Sequence, residues 1–414
     1  MSFKYKELGE CIDLIIDNRG KTPKKMGSDW VEKGIKTISA KNIHNGKLDN
    51  YESIRFVNSE VYKKWMKDDI KKGDCLLVSE GATLGENLYW DLDEKVVIGQ
   101  RLYCIRTNEE ILNSKYFSAY LNTVEYQKEI EGRSTGTSVL GIRQTELLKT
   151  KVLIMDMEEQ KFIGNLYYDI NLKIEVNNKI NKNLEEMAQA IFKQWFVDFE
   201  FPNEEGKPYK SSGGEMVESE LGMIPKGWEI SKLGNYIELY DSKRIPLSKN
   251  EREKREKIYP YYGAASLMDF VDDYIFEGVY ILMGEDGTVS DNLGYPILQY
   301  VWGKFWVNNH AHVIKGVLDI SEEFIYILLK NTNVKQIITG AVQPKINQKN
   351  LREVNIVMPV KKDIVKKYSD LVNKMFFKIR ILTDENERLE KLRDTLLPKL
   401  MSGEIRVPLE NNKN

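Results

Sequence analysis

Apolar side chains recur at seven-residue steps in two long stretches of the chain. The rows are formed by Ile163, Ile170, Leu184 and Ile191 in the first stretch, and by Tyr368, Met375, Leu382, Leu389 and Leu396 in the second. A sustained seven-residue period is typical of helices that pack as a coiled coil. Each stretch of about 36 residues predicts a helix roughly 50 Å long, at a rise of about 1.5 Å per residue. A buried helix in an ordinary core is the alternative.

The regions in front of these stretches have a different pattern. Short β-branched and aromatic runs alternate there with Gly and Asn turns, at 75–78, 95–98, 101–105, 152–154, 280–283, 305–307 and 355–357. Such runs predict short strands mixed with short helices, which places each region in the α+β class.

The sequence also contains an internal repeat. Residues 6–14 match 231–239, residues 73–80 match 278–285 and residues 135–147 match 339–351, so the offset between copies falls from 225 to 205 to 204. The helical rows superpose at 205, which places Asn177 opposite Leu382, where a polar side chain can fix the pairing of the helices. The alignment also places Glu80 opposite Glu285. Matches that keep their order along a whole chain indicate a duplicated unit.

The predicted organisation follows from the duplication and from a Gly-, Ser- and Glu-rich stretch between the copies. It comprises a first front domain at 1–155, a helical region at 156–200, a linker at 201–225, a second front domain at 226–360, a second helical region at 361–406 and a polar tail at 407–414. If the two helices pair antiparallel, the front domains are related by a pseudo-twofold axis. DNA-binding proteins with that symmetry bind two half-sites, and non-identical domains predict an asymmetric bipartite target.

Composition narrows the class of protein. The 414 residues include 61 Lys and Arg against 63 Asp and Glu, which excludes a polycation but leaves a local basic face possible. No apolar run approaches the roughly 18 residues of a membrane span, and the first residues lack the apolar core of a signal peptide. The three cysteines have no paired spacing. We therefore expect a protein of the reducing cytoplasm, without disulfides or membrane contact.

The sequence lacks the common motifs of catalytic and cofactor-binding sites. It contains no phosphate-binding GxxxxGK[ST] loop, no GxGxxG after a strand, no HExxH, no GxSxG and no Pro-Pro pair of the kind found in amino-methyltransferases. Among His44, His310 and His312, only the last two are close in sequence, and no third zinc ligand accompanies them. We expect a binding protein without a catalytic or metal site.

Eight stretches, in this order along the two copies, resemble one known family. They are IIDNRGKTP at 15–23, GATLG at 81–85, GQRLY at 99–103, STGTSVLGIRQ at 134–144, VESELGMIPKGW at 217–228, YPYYGA at 259–264, GEDGT at 284–288 and VNNHAH at 307–312. The chain is similar along essentially its whole length to the specificity subunit of type I restriction–modification systems.

The resemblance implies two target recognition domains for double-stranded DNA, each followed by a helical conserved region. It implies assembly with two modification subunits, which hold S-adenosylmethionine and methylate adenine N6, and leaves open whether two restriction subunits join them. This chain then carries neither a cofactor nor catalysis.

Polar residues near predicted turns are the candidates for DNA contact. Arg takes guanine bidentately, Asn and Gln pair with adenine, and Lys or a small hydroxyl-rich loop suits phosphate. The predicted DNA-binding residues are Arg19, Lys21, Lys24, Gln100, Arg101, Ser134, Thr135, Thr137, Arg143, Lys243, Arg244, Asn308, Asn309, His310, Gln343 and Lys345. Solvated charged loops, strand-end hydrogen bonds and ordinary turn chemistry are the competing interpretations. For Glu80 and Glu285 an internal ion pair is favoured over a cytosine contact.

Two other functions fit the sequence less well. One is a single-chain DNA-modifying enzyme with an unrecognised active site, which would turn over substrate alone. The other is a coiled-coil scaffold, which would show no sequence-dependent DNA binding. Neither requires two similar but non-identical front domains.

Overall fold

A computed structural model describes residues 4–136, 139–317, 319–340 and 342–407. The chain forms two compact units. Unit 1 contains the residues up to Val176 together with those from Asn386 onwards, and unit 2 contains Asn177–Glu385. Both boundaries lie within long helices, so each unit includes a part of each helix.

Unit 1 holds eleven strands among its described residues. They are β1 Lys4–Glu7, β2 Ile12–Asp17, β3 Ile35–Ile38, β4 Ile43–His44, β5 Lys47–Leu48, β6 Arg55–Val57, β7 Cys75–Val78, β8 Asn87–Tyr89, β9 Val96–Ile98, β10 Leu102–Thr107 and β11 Lys151–Ile154. Its helices are α1 Ser59–Trp65, α2 Ser114–Leu121, α3 Val124–Arg133, α4 Gln144–Leu147 and the first part of α5 Met157–Phe192.

Unit 2 begins in the second part of α5, which continues as a π-helical turn at Lys193–Val197. Its strands are β12 Met216–Ser219, β13 Gly222–Pro225, β14 Trp228–Lys232, β15 Ile237–Leu239, β16 Tyr259–Tyr262, β17 Leu267–Val271, β18 Phe276–Glu277, β19 Tyr280–Gly284, β20 Leu298–Val301, β21 Lys304–Val307, β22 Ala311–Gly316 and β23 Asn355–Pro359. Its other helices are α6 Lys249–Glu253, α7 Glu322–Lys330, α8 Gln348–Arg352 and α9 Asp363–Met401, whose last part belongs to unit 1.

The duplication predicted from the sequence is confirmed by the strand order. A four-stranded antiparallel sheet has the order β2-β10-β7-β8 in unit 1 and β15-β22-β19-β20 in unit 2. A parallel pair, β3 with β9 or β16 with β21, recurs in each unit, as does an antiparallel pair, β1 with β11 or β14 with β23. Both units are therefore α+β, as the short β-branched runs predict.

The long helices run antiparallel within each unit, because residues later in α5 contact residues earlier in α9. In unit 2, Asn177 donates to Glu385 over 2.8 Å and Asn181 donates to Thr383 over 3.1 Å. In unit 1, Arg393 donates to Asn171 over 2.7 Å. Asn177 is fully buried in the helix pair, as its place in the apolar row predicts.

The cores explain why the helices belong to the units. In unit 1, Leu8, Phe117 and Ile163 are buried in one cluster with Leu400 and Met401 from the end of α9. In unit 2, aromatic rings fill the space between the helices and the sheet: Phe192, Phe196, Trp228, Phe324 and Tyr368. No helix of the described residues is both long and apolar enough to cross a membrane.

The stretch 201–225 differs from the linker expected from its composition. It contains the hairpin β12–β13, and Phe201 stacks on Trp228 with ring centroids 5.2 Å apart. Phe201 and Ile224 are buried in the core of unit 2. Its Gly and Ser residues supply tight turns, while a few apolar anchors fix the segment to the domain that follows.

Candidate nucleic-acid interface

In unit 1 a loop closed by its own backbone lies against the end of strand β7. Thr135 and Gly141 exchange hydrogen bonds of 2.9 and 3.1 Å, and these residues define loop 1, 134–143. Gly81 N donates to Leu140 O and Ile142 N donates to Ser79 O, each over 2.9 Å. These bonds attach loop 1 to the turn that follows the strand. Thr137 and Ser138 lie outside the described residues.

Unit 2 repeats this arrangement bond by bond at the end of strand β19. Thr339 and Lys345 exchange hydrogen bonds of 2.8 and 2.7 Å and define loop 2, 339–346. Gly287 N donates to Pro344 O over 3.0 Å and Ile346 N donates to Glu285 O over 2.9 Å. The two loops are therefore equivalent positions of the duplicated frame.

This equivalence corrects the alignment of the acidic residues. Glu80 is bridged to Gly141, and Asp286 is bridged to the matching residue, Lys345. The structural counterpart of Glu80 is therefore Asp286, and Glu285 takes the place of Ser79. Sequence matching placed Glu80 opposite Glu285, one residue away, because both strands end in a short apolar run followed by Glu.

Each loop is also held by a hydrogen bond from a side chain of an inner strand of the sheet, β10 in unit 1 and β22 in unit 2. In unit 1 the hydroxyl of Tyr103 donates to the carbonyl oxygen of Ile142 over 3.0 Å. In unit 2 the ring nitrogen Nε2 of His312 lies 2.8 Å from the carbonyl oxygen of Ile346. Strand pairing places Tyr103 opposite Leu77 and His312 opposite Met283, so the two anchors occupy one position of the repeat.

Beside each loop, an exposed acid–base pair joins the ends of two neighbouring strands. Arg101 Nε lies 2.9 Å from Glu80 Oε1, with 54% and 38% of their side chains exposed. In unit 2, His310 Nδ1 lies 2.6 Å from Asp286 Oδ1, and 47% of the histidine side chain is exposed. The ion pair expected for Glu80 is thus present.

Arg244 is largely buried and is paired inside unit 2. Only 11% of its side chain is exposed, and it donates to Glu285 over 2.7 Å and to the carbonyl oxygen of Ala311 over 2.5 Å. Burial raises the pKa of Glu285, but the hydrogen bond from Arg244 and the charge of His312 outweigh it and hold that pKa below its ordinary value. The ion pair expected for Glu285 is therefore also present.

Asp241 lies in the same cluster. It accepts from His312 Nδ1 over 2.5 Å and from Gln348 over 2.6 Å. Burial raises the pKa of Asp241, but the hydrogen bond and charge of His312, with smaller contributions from the Val313 backbone and Arg244, together hold that pKa below its ordinary value. Asp241, Glu285 and His312 are close enough to ligate one cation. However, Arg244 and Lys345 already pair with the carboxylate of Glu285, so the cluster serves as an internal ion network.

Four other predicted DNA contacts have their polar atoms engaged inside the protein. Arg19 forms a 2.7 Å ion pair with Asp17, and Lys21 donates to Asn18 and to the carbonyl oxygen of Trp65. Partial burial lowers the pKa of Lys21. Asn308 is 5% exposed and accepts from the backbone of His310. The hydroxyl of Ser134 donates to Ile130 O over 2.6 Å.

The structure thus separates the predicted residues into two groups. Arg19, Lys21, Ser134, Arg244 and Asn308 have polar atoms engaged within the protein, and direct DNA contact by them stays a prediction. The residues with exposed side chains are Lys24, Gln100, Arg101, Thr135, Arg143, Lys243, Asn309, His310, Gln343 and Lys345. Direct DNA contact by this second group stays a prediction, and so does contact by Thr137, which the structure does not describe.

Sequence reasoning missed several residues at the loops. Asp286 was hidden by the one-residue error in the alignment. Val139 and Leu140 in loop 1 are exposed, and Val342 in loop 2 is 99% exposed. The sequence signal that would have identified the three apolar residues is an apolar side chain within a turn of Gly, Ser and Thr. A cleft of about 810 Å³ lies beside loop 1, lined in part by Arg101, Lys128 and Leu140.

Comparison with known proteins identifies relatives of this chain. A family model described as "Type I restriction modification DNA specificity domain" matches residues 2–186 and again residues 225–391. The type I restriction enzyme MjaIX specificity subunit of Methanocaldococcus jannaschii is 29% identical, over 98% of this chain and 93% of that protein. The HindI specificity subunit of Haemophilus influenzae is 23% identical, over 91% of this chain and 100% of that protein.

A similar fold has been solved. The crystal structure of the type I restriction–modification S subunit from M. genitalium aligns with a TM-score of 0.59 at 16% identity, over 96% of each chain.

Proposed function

Because this chain belongs to the family of type I restriction–modification DNA specificity proteins, we propose that it selects an asymmetric DNA target in two parts, one with each unit. It is the non-catalytic, DNA-recognising subunit of its system.

The proposal rests on one observation: loops 1 and 2 have the same backbone arrangement but present different side chains. Loop 1 and loop 2 share their backbone hydrogen bonds, yet Arg101 and Glu80 in unit 1 correspond to His310 and Asp286 in unit 2. A conserved frame presents side chains to DNA in a similar way, and different side chains select different base edges. Two units built in this way bind two unlike half-sites.

The exposed residues divide by the kind of contact that they suit. Lys24 and Lys243 carry flexible charges that suit phosphate, and their contribution falls with added salt. Lys345 is also exposed, although its ammonium group pairs with Glu285. Gln100 and Asn309 present amides that suit adenine. Thr135 suits phosphate at loop 1. Backbone contacts of this kind fix the position of the protein, while the amides and the acid–base pairs supply sequence preference.

The helices supply candidate docking surfaces for modification subunits. Leu172 and Val176 on α5 are exposed, and so are Phe377 and Ile381, which lie 205 residues further on at matching positions of α9. Apolar residues four positions apart lie on one face of a helix. The repeated pair supports two copies of one partner, whose own sites hold S-adenosylmethionine and methylate adenine.

The location proposed for the assembly is the cytoplasm. Cys11, Cys75 and Cys104 are buried free thiols, which is the ordinary state of cysteine in a reducing compartment.

The test is a genome-wide map of methylated adenines in cells with and without this chain. Loss of methylation at one gapped, asymmetric motif on deletion is the expected result. Loss at a continuous or palindromic motif would overturn the division into two unlike half-sites. Methylation by the purified chain alone would instead indicate a single-chain enzyme, and the absence of sequence-dependent DNA binding by the assembled complex would indicate a scaffold.

A further inference from the structure

We propose that Glu80 and Arg101 act together to select one G·C base pair in the half-site of unit 1. This inference rests on the proposed division of DNA recognition between the units and goes further, because it assigns a base pair to named side chains. We call these two residues the recognition pair.

The backbone holds the recognition pair in a fixed and exposed place. Arg101 lies in the turn between β9 and β10 with φ of +64°, a left-handed conformation that residues with side chains rarely adopt. Its carbonyl oxygen accepts from Ser79 N over 2.9 Å, which ties the turn to the residue before Glu80. A strained backbone kept by surrounding bonds is a feature of functional positions.

The guanidinium is positioned with its outer nitrogens available. Its Nε lies 2.9 Å from Glu80 Oε1, so the carboxylate contacts the inner edge of the guanidinium. Over half of the Arg101 side chain is exposed, whereas Arg19 and Arg244 are paired within their units. Arg101 therefore differs from both in presenting a fork of donors to a ligand.

The pattern of donors and acceptors matches one base pair. Seen from the major groove, a G·C pair presents two acceptors on guanine followed by a donor on cytosine N4, whereas an A·T pair alternates acceptor, donor, acceptor. Two Arg nitrogens and one Glu oxygen supply the complement of the first pattern only.

Electrostatics permit the carboxylate to approach DNA. A lone carboxylate is repelled by the phosphates and loses hydration on entering a groove. Paired with Arg101, Glu80 enters as half of a neutral unit, and the cytosine amino group replaces the water that it gives up.

The second unit supports the assignment. His310 and Asp286 occupy the equivalent positions and are also paired, with the histidine exposed and the aspartate partly buried. Two domains that differ in most side chains thus retain an acid–base pair at one site. A histidine ring bonded to Asp286 through Nδ1 has a single nitrogen left, so it cannot supply the two donors that guanine requires. We therefore assign the G·C requirement to unit 1 alone.

The experiment uses the full complex of this chain with its modification subunits and duplexes that carry each base pair at each position of the methylated motif. Arg101→Lys retains a charge beside Glu80 but loses the two-pronged donor. Glu80→Gln retains the shape but adds donors. Both variants are expected to lose on the order of ten- to a hundredfold of the preference for G·C at one and the same position. His310→Gln, the matched control, is expected to leave that position unchanged.

Other outcomes separate this inference from the proposed function. Equal weakening on every duplex, or a lowered melting temperature with unchanged preference, would make the recognition pair a structural bond and overturn the inference. Loss of preference at two different positions would also overturn it, because one base pair would no longer be shared. If the unmodified complex shows no sequence preference at all, the proposed function itself fails.

Discussion

The imidazole of His312 lies 2.8 Å from the carbonyl oxygen of Ile346 through Nε2 and 2.5 Å from the carboxylate of Asp241 through Nδ1. Both partners accept hydrogen bonds, so the ring donates from both nitrogens. One fully buried side chain thereby connects loop 2 to the ion network beneath it.

His312→Leu is expected to lower the free energy of unfolding of unit 2 by about 3 kcal/mol, because Asp241 loses a charged partner in the interior. Tyr103→Phe at the equivalent position removes only a neutral hydrogen bond and is expected to cost about 1 kcal/mol. Denaturant titrations of the two variants measure the difference. Equal costs would show that the charge of Asp241 is compensated by its other partners.

Acid is expected to weaken unit 2 through Glu285. Arg244 and His312 hold the pKa of Glu285 below its ordinary value of 4.5 in the folded protein, even though burial opposes them. The carboxylate therefore contributes stability that is complete above about pH 4.5 and is lost as the pH falls through the lower, folded value. Melting temperatures between about pH 5 and about pH 3 should fall less steeply in Glu285→Gln than in the unmodified chain. Glu204→Gln, an exposed control, should reproduce the unmodified slope.

Arg380 connects the helix α9 to the rest of unit 2, where it donates to Glu323 over 2.8 Å. Glu323 is buried, so Arg380→Met leaves its carboxylate without a cationic partner, although Tyr300 still donates to it, and is expected to cost about 3–5 kcal/mol. The double variant with Glu323→Gln is expected to recover a large part of that loss. Lys378→Met, an exposed change on the same helix, is the control for altered charge. A double variant no more stable than the single one would show that Arg380 acts through packing alone.

Salt dependence distinguishes phosphate contacts from base contacts. Lys24→Ala is expected to weaken binding about equally on all duplexes and to reduce the slope of log affinity against log salt by about 1. Lys64→Ala removes a charge that is also exposed, on helix α1 and paired with Glu60, and should leave the slope unchanged. A change in preference between duplexes would contradict a phosphate role for Lys24.

Exchange of residues 1–155 for the corresponding part of another family member is expected to change one half-site only. The new segment must preserve its contacts with α5: Gln160 bonds to the backbone of Asn113 and Ile111, and Lys115 donates to Asn165. Methylation maps of the exchanged system provide the measurement. A change in both half-sites would contradict independent recognition by the two units.

The sequence predicts the helices and loops better than it predicts which polar side chains are exposed. Heptad rows such as Ile163 and Ile170 identify the long helices, because burial along one helix face imposes a period on the sequence. Repeated Gly and Thr residues identify the loops, because their backbone geometry restricts the choice of residue. Both signals arise from local structure, and both predictions are confirmed.

The direction of polar side chains was harder to predict. Arg244 and Lys243 are neighbours with the same charge, yet Arg244 is paired with Glu285 while Lys243 is exposed. Asn308 and Asn309 differ in the same way. These choices depend on partners that lie dozens of residues away along the chain. The one-residue error at Glu285 has a related origin, since only strand pairing defines which residue follows the strand at the loop.

The core of unit 1 encloses Leu8 together with Leu400 and Met401. The core of unit 1 is therefore completed only after the residues near position 400 have left the ribosome. Until then, the apolar surface that the end of α9 will cover remains open to chaperones and to aggregation. Closure over so many residues also delays the pairing that completes the core. A stop codon before position 400 is thus expected to weaken unit 1, although most residues of that unit precede position 177.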